Sequence, residues 1–448
     1  MAAAREVGPV LGGRTIWNIN STARGGGVAE MLKSLIAYAR GAGLDARWLV
    51  IPGNPDFFAI TKRIHNYLHG STGDGEALDG EAREIYESAL GSTAEGLTAK
   101  VAPGDVVVLH DPQTAGLVPA MREAGAHVVW RCHVGIDTAN DTARLAWRFL
   151  LPYVTPADAY VFSRASFAWE GLDRSRIFVI PPSIDAFSPK NADMDAAHVQ
   201  SILSTAGIVG GKPLVPANFT RLDGRTGTVF HRAEMVEVAP ATLDDSLVVQ
   251  ISRWDRLKDP LGVMQGFVDH VAPMTAAHLM LAGPAAAAVA DDPEGLQVLA
   301  DCVQSWEQLP EPARGRVHLA ALPMTDSDEN AAMVNALQRH ATVVIQKSLA
   351  EGFGLTVAEA MWKGRPVVAS RIGGIQEQID DGRTGLLVND PRDLADYGGK
   401  VRQLLEKPFW AAAIGAAARE NVRDHFLAPR HLLQYAALLK TLVIRSAA

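Results

Sequence analysis

"TVVIQKSLAEGFGLTVAEAMWKGRPVVAS" (residues 342–370) sets two short apolar runs on either side of a glycine-rich loop and a run of helix-forming residues. The runs at 342–346 and 366–370 are rich in valine and isoleucine, which favour strands. Alanine, methionine and glutamate between them favour a helix. A strand, a helix and a second strand in succession form the unit of parallel α/β sheets, and this stretch predicts such a sheet.

The same alternation fills the chain and forms two series of strands. The first series is predicted at 14–19, 47–51, 105–110, 127–133, 159–162 and 177–180. The second series is predicted at 246–252, 278–283, 316–320, 342–346, 366–370 and 385–389. Helices are predicted notably at 28–40 and 81–90, and two more at 411–445. This α/β pattern predicts two Rossmann-like parallel-sheet domains that face each other across a cleft, with ligands at the carboxyl ends of strands.

A stretch rich in proline and turn formers, PPSIDAFSPKN (181–191), separates the two series. Such composition is typical of a linker between domains, and 448 residues exceed what one ordinary core supports. We therefore predict an N-terminal domain at 1–182 and a C-terminal domain at 183–425. Within the second, the turn formers LDGRTG predict a β-hairpin inserted at 210–238.

Composition excludes several classes of partner. Net charge is −8, from 42 basic and 50 acidic residues, so nucleic acid and anionic membranes receive no general electrostatic attraction. No apolar run reaches about 18 residues, and MAAAREVGPVLGGR at the N-terminus lacks the apolar core of a secretory signal. Cys132 and Cys302 lie far apart in the sequence and are expected to be reduced thiols. A cytoplasmic protein without a nucleic-acid or membrane partner is expected.

A glycine run, Gly25, Gly26 and Gly27, stands between a predicted strand and a predicted helix in NINSTARGGGVAEML (18–32). Open backbone N–H groups at a helix start can bind a phosphate or a hydroxyl. The run is no dinucleotide fingerprint, because Glu30 stands where that motif needs glycine. The alternative is that the glycines only permit a tight turn.

Two cations, Arg253 and Lys258, follow the first strand of the second series in SRWDRLKDP (252–260). A planar guanidinium and a mobile ammonium on one short loop can converge on a diphosphate. The alternative is that they are solvated loop charges paired with Asp255 and Asp259.

Two glutamates bracket the glycine-rich loop of 342–370. A capping box would make Thr356 the N-cap of a helix, with Glu359 reaching back to its N–H and Gly364 ending the helix. That account gives Glu351 no role. The alternative is that Glu351 and Glu359 accept hydrogen bonds from the hydroxyls of a sugar nucleotide.

These motifs together resemble a known family. AEGFGLTVAEAMWKGRPVVAS, RIGGIQEQIDDGRTGLLV and SRWDRLKDP are similar to retaining glycosyltransferases of family four, which have the GT-B fold. INSTARGGGVAEML, HDPQTAGL, WRCHVGID and VIPPSIDAFSPKN resemble the branch of trehalose glycosyltransferring synthases. The resemblance runs from about residue 14 to about residue 440 and includes the insertion at 210–238.

The resemblance implies a role for each matching residue. On the donor side, Glu351 would hold the 3- and 4-hydroxyls of the sugar, Glu359 the ribose hydroxyls, and Arg253 with Lys258 the diphosphate. Backbone groups would line the same site at Gly26, Gly27, Gly352, Phe353, Gly354 and Leu355. His133 would lie near the donor sugar as a catalytic group, and the acceptor would contact Asp111, Gln113 and Asn20. The last helix, about 426–448, is expected to pack on the first domain.

The implied reaction transfers glucose from a nucleoside diphosphate glucose to glucose and forms α,α-trehalose reversibly. Retention is expected through a front-face displacement, with positive side chains in place of an obligatory metal and Mg²⁺ stimulating at most. The alternatives are retaining transfer to another acceptor, as in sucrose- or glucan-forming relatives, and a non-catalytic nucleotide-sugar-binding protein. The insertion at 210–238 is a candidate interface for a homodimer.

Overall fold

The computed structural model describes residues 9, 11–23, 27–285 and 294–447, with the side chains of 444–447 excepted. The chain divides into two compact units. The first comprises Met1–Ser183, Glu351–Phe353 and Ala428–Ala448. The second comprises Ile184–Ala350 and Gly354–Leu427. The segment Glu351–Phe353, which the sequence assigns to the second domain, thus groups with the first unit.

The first unit contains a parallel sheet that has six strands in the described part of the chain, in the order β2-β1-β3-β4-β5-β6. Its strands are β1 (Ile16–Asn20), β2 (Ala46–Val50), β3 (Val106–His110), β4 (His127–Cys132), β5 (Ala159–Phe162) and β6 (Ile177–Val179). All six predicted strands are confirmed, with ends that differ by at most two residues.

Helices cover this sheet. They are α1 (Gly27–Gly41), α2 (Pro55–Leu68), α3 (Gly80–Thr98), α4 (Asp111–Thr114), α5 (Val118–Glu123) and α6 (Asp141–Val154). The predicted helix at 28–40 is confirmed, whereas the one predicted at 81–90 continues to Thr98. Asp79 caps that helix by accepting a hydrogen bond from the N–H of Ala82.

The second unit contains a larger sheet, whose described strands run in the order β15-β14-β13-β10-β11-β12-β9. The strands are β7 (Asn218–Thr220), β8 (Thr226–Thr228), β9 (Glu234–Val236), β10 (Leu247–Ile251), β11 (His278–Pro284), β12 (Val317–Leu322), β13 (Val343–Gln346), β14 (Val367–Ser370) and β15 (Leu386–Val388). β7 and β8 form the predicted hairpin. β9, which was not predicted, pairs antiparallel with β12, while the other strand pairs of this sheet are parallel.

The helices of the second unit pack on both faces of its sheet. They are α7 (Ala196–Ala206), α8 (Pro260–His270), α9 (Gly295–Glu307), α10 (Glu311–Arg314), α11 (Ser327–His340), α12 (Leu355–Trp362), α13 (Ile375–Gln378), α14 (Leu394–Glu406) and α15 (Pro408–His425). One buried core joins strand residues such as Val248 and Leu281 to Phe267 of α8 and Tyr397 of α14.

The last helix, α16 (Ala428–Ala447), belongs to the first unit. Its Leu432 and Leu439 pack with Val108 and Val129 in the core on one face of the first sheet. The other face packs against α2, α3 and α6. Among the described residues, no helix is long and apolar enough to cross a membrane.

Candidate active site

The loop after β10 carries the two predicted diphosphate ligands, Arg253 and Lys258. Oδ1 of Asp255 accepts a hydrogen bond from the N–H of Leu257 at 2.8 Å and begins a 3₁₀ turn, Arg256–Lys258. Oδ2 of Asp255 lies 3.7 Å from Nη2 of Arg253. The pairing of Arg253 with Asp255 that the alternative predicts is thus present, although Asp255 is only 1% exposed and also shapes the loop.

The second carboxylate of this loop, Asp259, is held by a buried lysine. Nζ of Lys347, directly after β13, contacts the carboxylate of Asp259 and donates to the carbonyl oxygen of Pro391 at 2.7 Å. The N–H of Leu349 donates to the carbonyl oxygen of Leu257 at 2.7 Å. Because β10 and β13 are adjacent parallel strands, the loops that follow them are bonded into one unit. Lys347 is not among the predicted residues, although a lysine directly after a buried strand is a usable signal.

The start of α12 corrects one prediction. The helix begins at Leu355 with Gly354 as N-cap, in the left-handed region at φ +83°, and no side chain caps it. The N–H of Val357 donates to the carbonyl oxygen of Gly354 at 3.0 Å. Thr356 is therefore inside the helix, and the predicted capping box of Thr356 with Glu359 is wrong.

The end of α12 confirms the prediction that a glycine terminates it. Gly364 has φ +69°, and its N–H donates to the carbonyl oxygen of Met361 at 2.9 Å. The N–H of Arg365 donates to the carbonyl oxygen of Ala360 at 3.0 Å. These two bonds are those of a Schellman motif.

Glu359 is buried at 4% exposure, and its carboxylate lies near a lysine of the predicted linker. Oε1 of Glu359 is 3.6 Å from Nζ of Lys190. Next along the chain, Oδ1 of Asn191 accepts a hydrogen bond from Nζ of Lys363 at 2.9 Å. The linker is thus fixed to α12 beside Glu359. Lys190 was not predicted, because no local pattern relates it to a helix so distant in sequence.

In the first unit, Asp111 and His133 are joined directly. Oδ1 of Asp111 accepts a hydrogen bond from the backbone N–H of His133 at 2.7 Å. Asp111 adopts φ +64°, a conformation that costs a non-glycine residue about 1–3 kcal/mol and clusters at functional sites. Burial raises the pKa of Asp111 from 3.8 to about 7, although the bond from His133 and the nearby Arg131 act in the opposite direction.

Gly352 explains why Glu351–Phe353 groups with the first unit. A Cβ atom on Gly352 would lie 2.4 Å from the carbonyl oxygen of His133. Two backbones approach each other there at a distance that only glycine allows. The structure therefore brings the loop of Glu351 beside His133, whose backbone N–H is bonded to Asp111.

The remaining predicted residues have the following places. Gln113 is half-buried on α4, and Gly27 is the first residue of α1. Nδ2 of Asn20 donates to the carbonyl oxygen of Thr22 at 2.7 Å, and its Oδ1 accepts from Nε1 of Trp48 at 2.8 Å. Gly26 lies outside the described residues. Within those residues, no group of three or more His, Cys, Asp or Glu side chains is placed to hold a metal ion.

Comparison with known proteins decides the family. Residues 18–169 match the family described as "Trehalose synthase, N-terminal domain", and residues 264–407 match "Glycosyl transferases group 1". The chain is 32% identical over 440 residues to trehalose synthase of Pyrococcus horikoshii, covering 98% of this chain and 92% of that protein. The chain belongs to the trehalose synthase family. A second member, from Rubrobacter xylanophilus, is 35% identical over 434 residues, covering 96% of this chain and 90% of that protein.

Solved structures agree with this assignment at the level of fold. An α,α-trehalose-phosphate synthase (UDP-forming) from Burkholderia vietnamiensis superposes with a TM-score of 0.70 at 14% identity, covering 97% of this chain and all of that one. Sucrose-phosphate synthase from Thermosynechococcus elongatus gives 0.65 at 18% identity over 97% of this chain and all of that one. The expected GT-B fold is confirmed for this member of the trehalose synthase family.

Proposed function

We propose that the protein transfers glucose from a nucleoside diphosphate glucose to free glucose and forms α,α-trehalose with retention of anomeric configuration. The observation that carries this proposal is a pair of cations on one short loop, in a chain that matches trehalose synthases over nearly its whole length. Arg253 and Lys258 bind the diphosphate there. Departure of the leaving group puts negative charge on the β-phosphate, and preorganised cations stabilise that charge.

The glutamates and the loop between them bind the donor. Glu359 accepts from the ribose hydroxyls, and Glu351 accepts from the 3- and 4-hydroxyls of glucose. Backbone N–H groups also bind the donor, from Gly352, Phe353, Gly354 and Leu355, and we extend this role to Gly27 and, outside the described residues, Gly26. The position of Glu359 supports its role, because its buried carboxylate lies 3.6 Å from Nζ of Lys190 and is held as an acceptor for hydroxyls.

Groups of the first unit bind the acceptor. Asp111 accepts hydrogen bonds from its hydroxyls, and the side-chain amides of Gln113 and Asn20 bind further hydroxyls. His133 lies near the donor sugar and binds as a neutral group, since burial lowers the pKa of His133 well below its ordinary value. No side chain is assigned as a covalent nucleophile, so we propose front-face displacement. Trapping of a glycosyl-enzyme would contradict that step.

Product analysis tests the reaction. The protein is incubated with ADP-, UDP- or GDP-glucose and glucose, and a non-reducing disaccharide is the expected product from at least one donor. Hydrolysis alone, or transfer only to another acceptor, contradicts the proposal. Addition of EDTA is expected to lower the rate only modestly, because the cations of the loop do the work of a metal.

Substitutions test the cation pair. Arg253→Ala or Lys258→Ala should each lower kcat by about a hundredfold or more. Arg256→Ala is the matched control, because Arg256 lies on the same 3₁₀ turn but is exposed and 3.4 Å from Asp301. Near-normal turnover in either Ala variant of the pair would contradict its role.

Compartment and assembly are also proposed. Buried free thiols at Cys132 and Cys302 are typical of a reducing compartment and support a cytoplasmic location. The insertion at 210–238 exposes Leu214, Phe230 and Val238, which supports a homodimer through that surface. A monomer in light scattering at micromolar concentration would contradict the dimer.

A further inference from the structure

A layer of buried polar side chains lies on one face of the first sheet, at the carboxyl ends of its strands. Side chains of a strand alternate between faces, and the residues two positions earlier belong to the core beneath α16, namely Ile16, Val108, Val129 and Val161. The layer therefore faces α16. Its members are each 5% exposed or less, and they are Asn18, His110, Arg131 and Ser163.

Arg131 contacts two side chains here, His133 of the candidate site and Tyr435 of α16. Its Nε donates to Nε2 of His133 at 3.3 Å. Its Nη1 and Nη2 have no hydrogen-bond partner in the part of the chain that the structure describes. The guanidinium lies 5.9 Å from the centre of the Tyr435 ring. The bond from Nε of Arg131 is therefore directed at a residue of the candidate site.

His133 also ends a chain of hydrogen bonds that can run in two directions. Its Nε2 lies 3.2 Å from Nδ1 of His110, whose Nε2 lies 3.3 Å from Oδ1 of Asn18. A neutral imidazole carries one N–H. In one direction His133 donates to His110, which donates to the Asn18 carbonyl oxygen. In the other, the Asn18 amide turns over and donates to His110, which donates to His133.

Arg131 selects between the two directions. A guanidinium can only donate, and its Nε–H is directed at Nε2 of His133. That nitrogen must then be without a proton, so the chain runs from Asn18 toward His133. We infer that Arg131 is a positioning residue that fixes the proton of His133 on Nδ1.

The tautomer of His133 decides how its Nδ1 can bind a substrate. Nδ1 of His133 makes no hydrogen bond to any described residue, and with a proton it is a donor to a sugar hydroxyl. Without Arg131 the chain reverses, the proton moves to Nε2, and Nδ1 becomes an acceptor. This last step rests on the proposed function, since it takes the hydroxyl to be that of the donor sugar.

The charge state of His133 stays constant while its tautomer is set. Burial, then Arg131, then His110 and His431 hold the pKa of His133 well below its ordinary value. Two carboxyl groups are also near His133. Asp111 accepts a hydrogen bond from the backbone N–H of His133, and Glu351 precedes Gly352, which packs against the His133 carbonyl oxygen. Burial also lowers the pKa of His110 to about 3, so both imidazoles are neutral at pH 7 and the direction of the chain is what Arg131 controls.

Nuclear magnetic resonance tests the inference on the free protein. Long-range ¹H–¹⁵N correlation of the histidine rings at pH 7 should show His133 protonated on Nδ1 in the wild type and on Nε2 in Arg131→Met. The His133 signals are assigned by their loss in His133→Gln. Tyr435→Phe is the matched control, because it removes a hydroxyl beside Arg131 and leaves the Arg131–His133 bond intact, so it should keep the wild-type tautomer.

Arg131→Met should fold, since it removes the cost of burying a charge and keeps a side chain of similar length. The kcat of Arg131→Met should fall by about a hundredfold, as when a transition-state donor is removed, while its KM for the nucleotide sugar should change little. The kcat of Tyr435→Phe should stay near that of the wild type. A wild-type His133 protonated on Nε2 overturns the inference whether or not the variant folds. An unchanged tautomer in Arg131→Met, or a changed tautomer with unchanged kcat, also overturns it. A wild type that forms no trehalose contradicts the proposed function instead, and the tautomer measurement does not depend on that reaction.

Discussion

Ionised Asp111 is expected to lower the free energy of unfolding of the protein at neutral pH and above. Its pKa is raised by burial and its φ is +64°. Asn is the best-matched substitution, because it tolerates the left-handed region better than most residues and its amide oxygen can still accept from the N–H of His133. Asp111→Asn therefore removes the charge and little else.

The sign and size of the effect follow from the pKa of Asp111. A raised pKa means that the folded state favours the protonated carboxyl. The free energy of unfolding is therefore highest below pH 3.8, where the carboxyl is protonated in both states, and it falls as pH rises through 7. At about 1.36 kcal/mol per pH unit, the wild type loses at most about 4 kcal/mol over that range. Asp111 is partly exposed, and solvent screening reduces this to about 2 kcal/mol. Because about half of that loss has already occurred at pH 4.5 and Asn does not titrate, Asp111→Asn should gain about 1 kcal/mol over the wild type between pH 4.5 and pH 8.5.

Amide hydrogen exchange of β3 and β4 measures this gain locally, after correction for the intrinsic exchange rates at each pH. Asp105→Asn is a matched control at the other end of β3. The carboxylate of Asp105 accepts from the N–H groups of Thr15 and Ala102 and from Nε1 of Trp17, each at 3.0 Å. In Asp105→Asn one of these oxygens is replaced by an NH₂ group, which faces N–H donors and cannot accept from them. The Asp105→Asn variant should therefore be less stable than the wild type at both pH values.

Activity should move in the opposite direction. A carboxylate accepts from two vicinal hydroxyls, whereas an amide offers one acceptor, so Asp111→Asn should lower kcat/KM for glucose by about tenfold or more. If the difference in protection between Asp111→Asn and wild type is the same at both pH values, the burial argument for Asp111 is refuted. If stability rises as expected and kcat/KM for glucose is unchanged, the acceptor role alone is refuted.

Three further substitutions probe the site. Gly352→Ala should abolish activity because its Cβ meets the carbonyl oxygen of His133 at 2.4 Å. The control is Gly382→Ala, at φ +80° in open space, which should cost about 1 kcal/mol of stability and no activity. An active Gly352→Ala would contradict the close approach. Lys190→Met should raise KM for the nucleotide sugar by about tenfold, because it removes the cation 3.6 Å from Glu359; an unchanged KM would show that the pair does not orient the carboxylate. Lys347→Met should lower the free energy of unfolding by about 3 kcal/mol by leaving Asp259 unpaired, and thermal unfolding of the double variant with Asp259→Asn should show most of that loss recovered.

The sheets were predictable because their strands are buried on both faces and appear as continuous apolar runs. Val106–His110 and Val343–Gln346 are examples, with every residue buried. β9 was not predictable in the same way. Its three residues, Glu234–Val236, are exposed or half-buried, so no apolar run marks them, and their pairing with β12 depends on tertiary contact.

The candidate site was predictable where chemistry is local and not where it is assembled from distant residues. Arg253 and Lys258 stand within one loop, which a single motif identifies. In the sequence, Arg131 is only one residue of a predicted strand. Its place in a polar layer beneath α16 follows from the structure, in which the residue two positions earlier belongs to the core under that helix. Lys190 is brought to Glu359 by the packing of the linker on α12, a contact that neither segment encodes alone.

The failed capping box shows why a local pattern did not decide the role of Glu359. Thr356 and Glu359 have the right spacing, but Gly354 reaches φ +83° and starts the helix two residues earlier than Thr356 would. That shift places Glu359 in the second turn, too far from the N-cap to bond its N–H. Just before Gly354, Gly352 lies so close to the carbonyl oxygen of His133 that only glycine fits there. The carboxylate of Glu359 is consequently buried beside Lys190 and does not cap the helix.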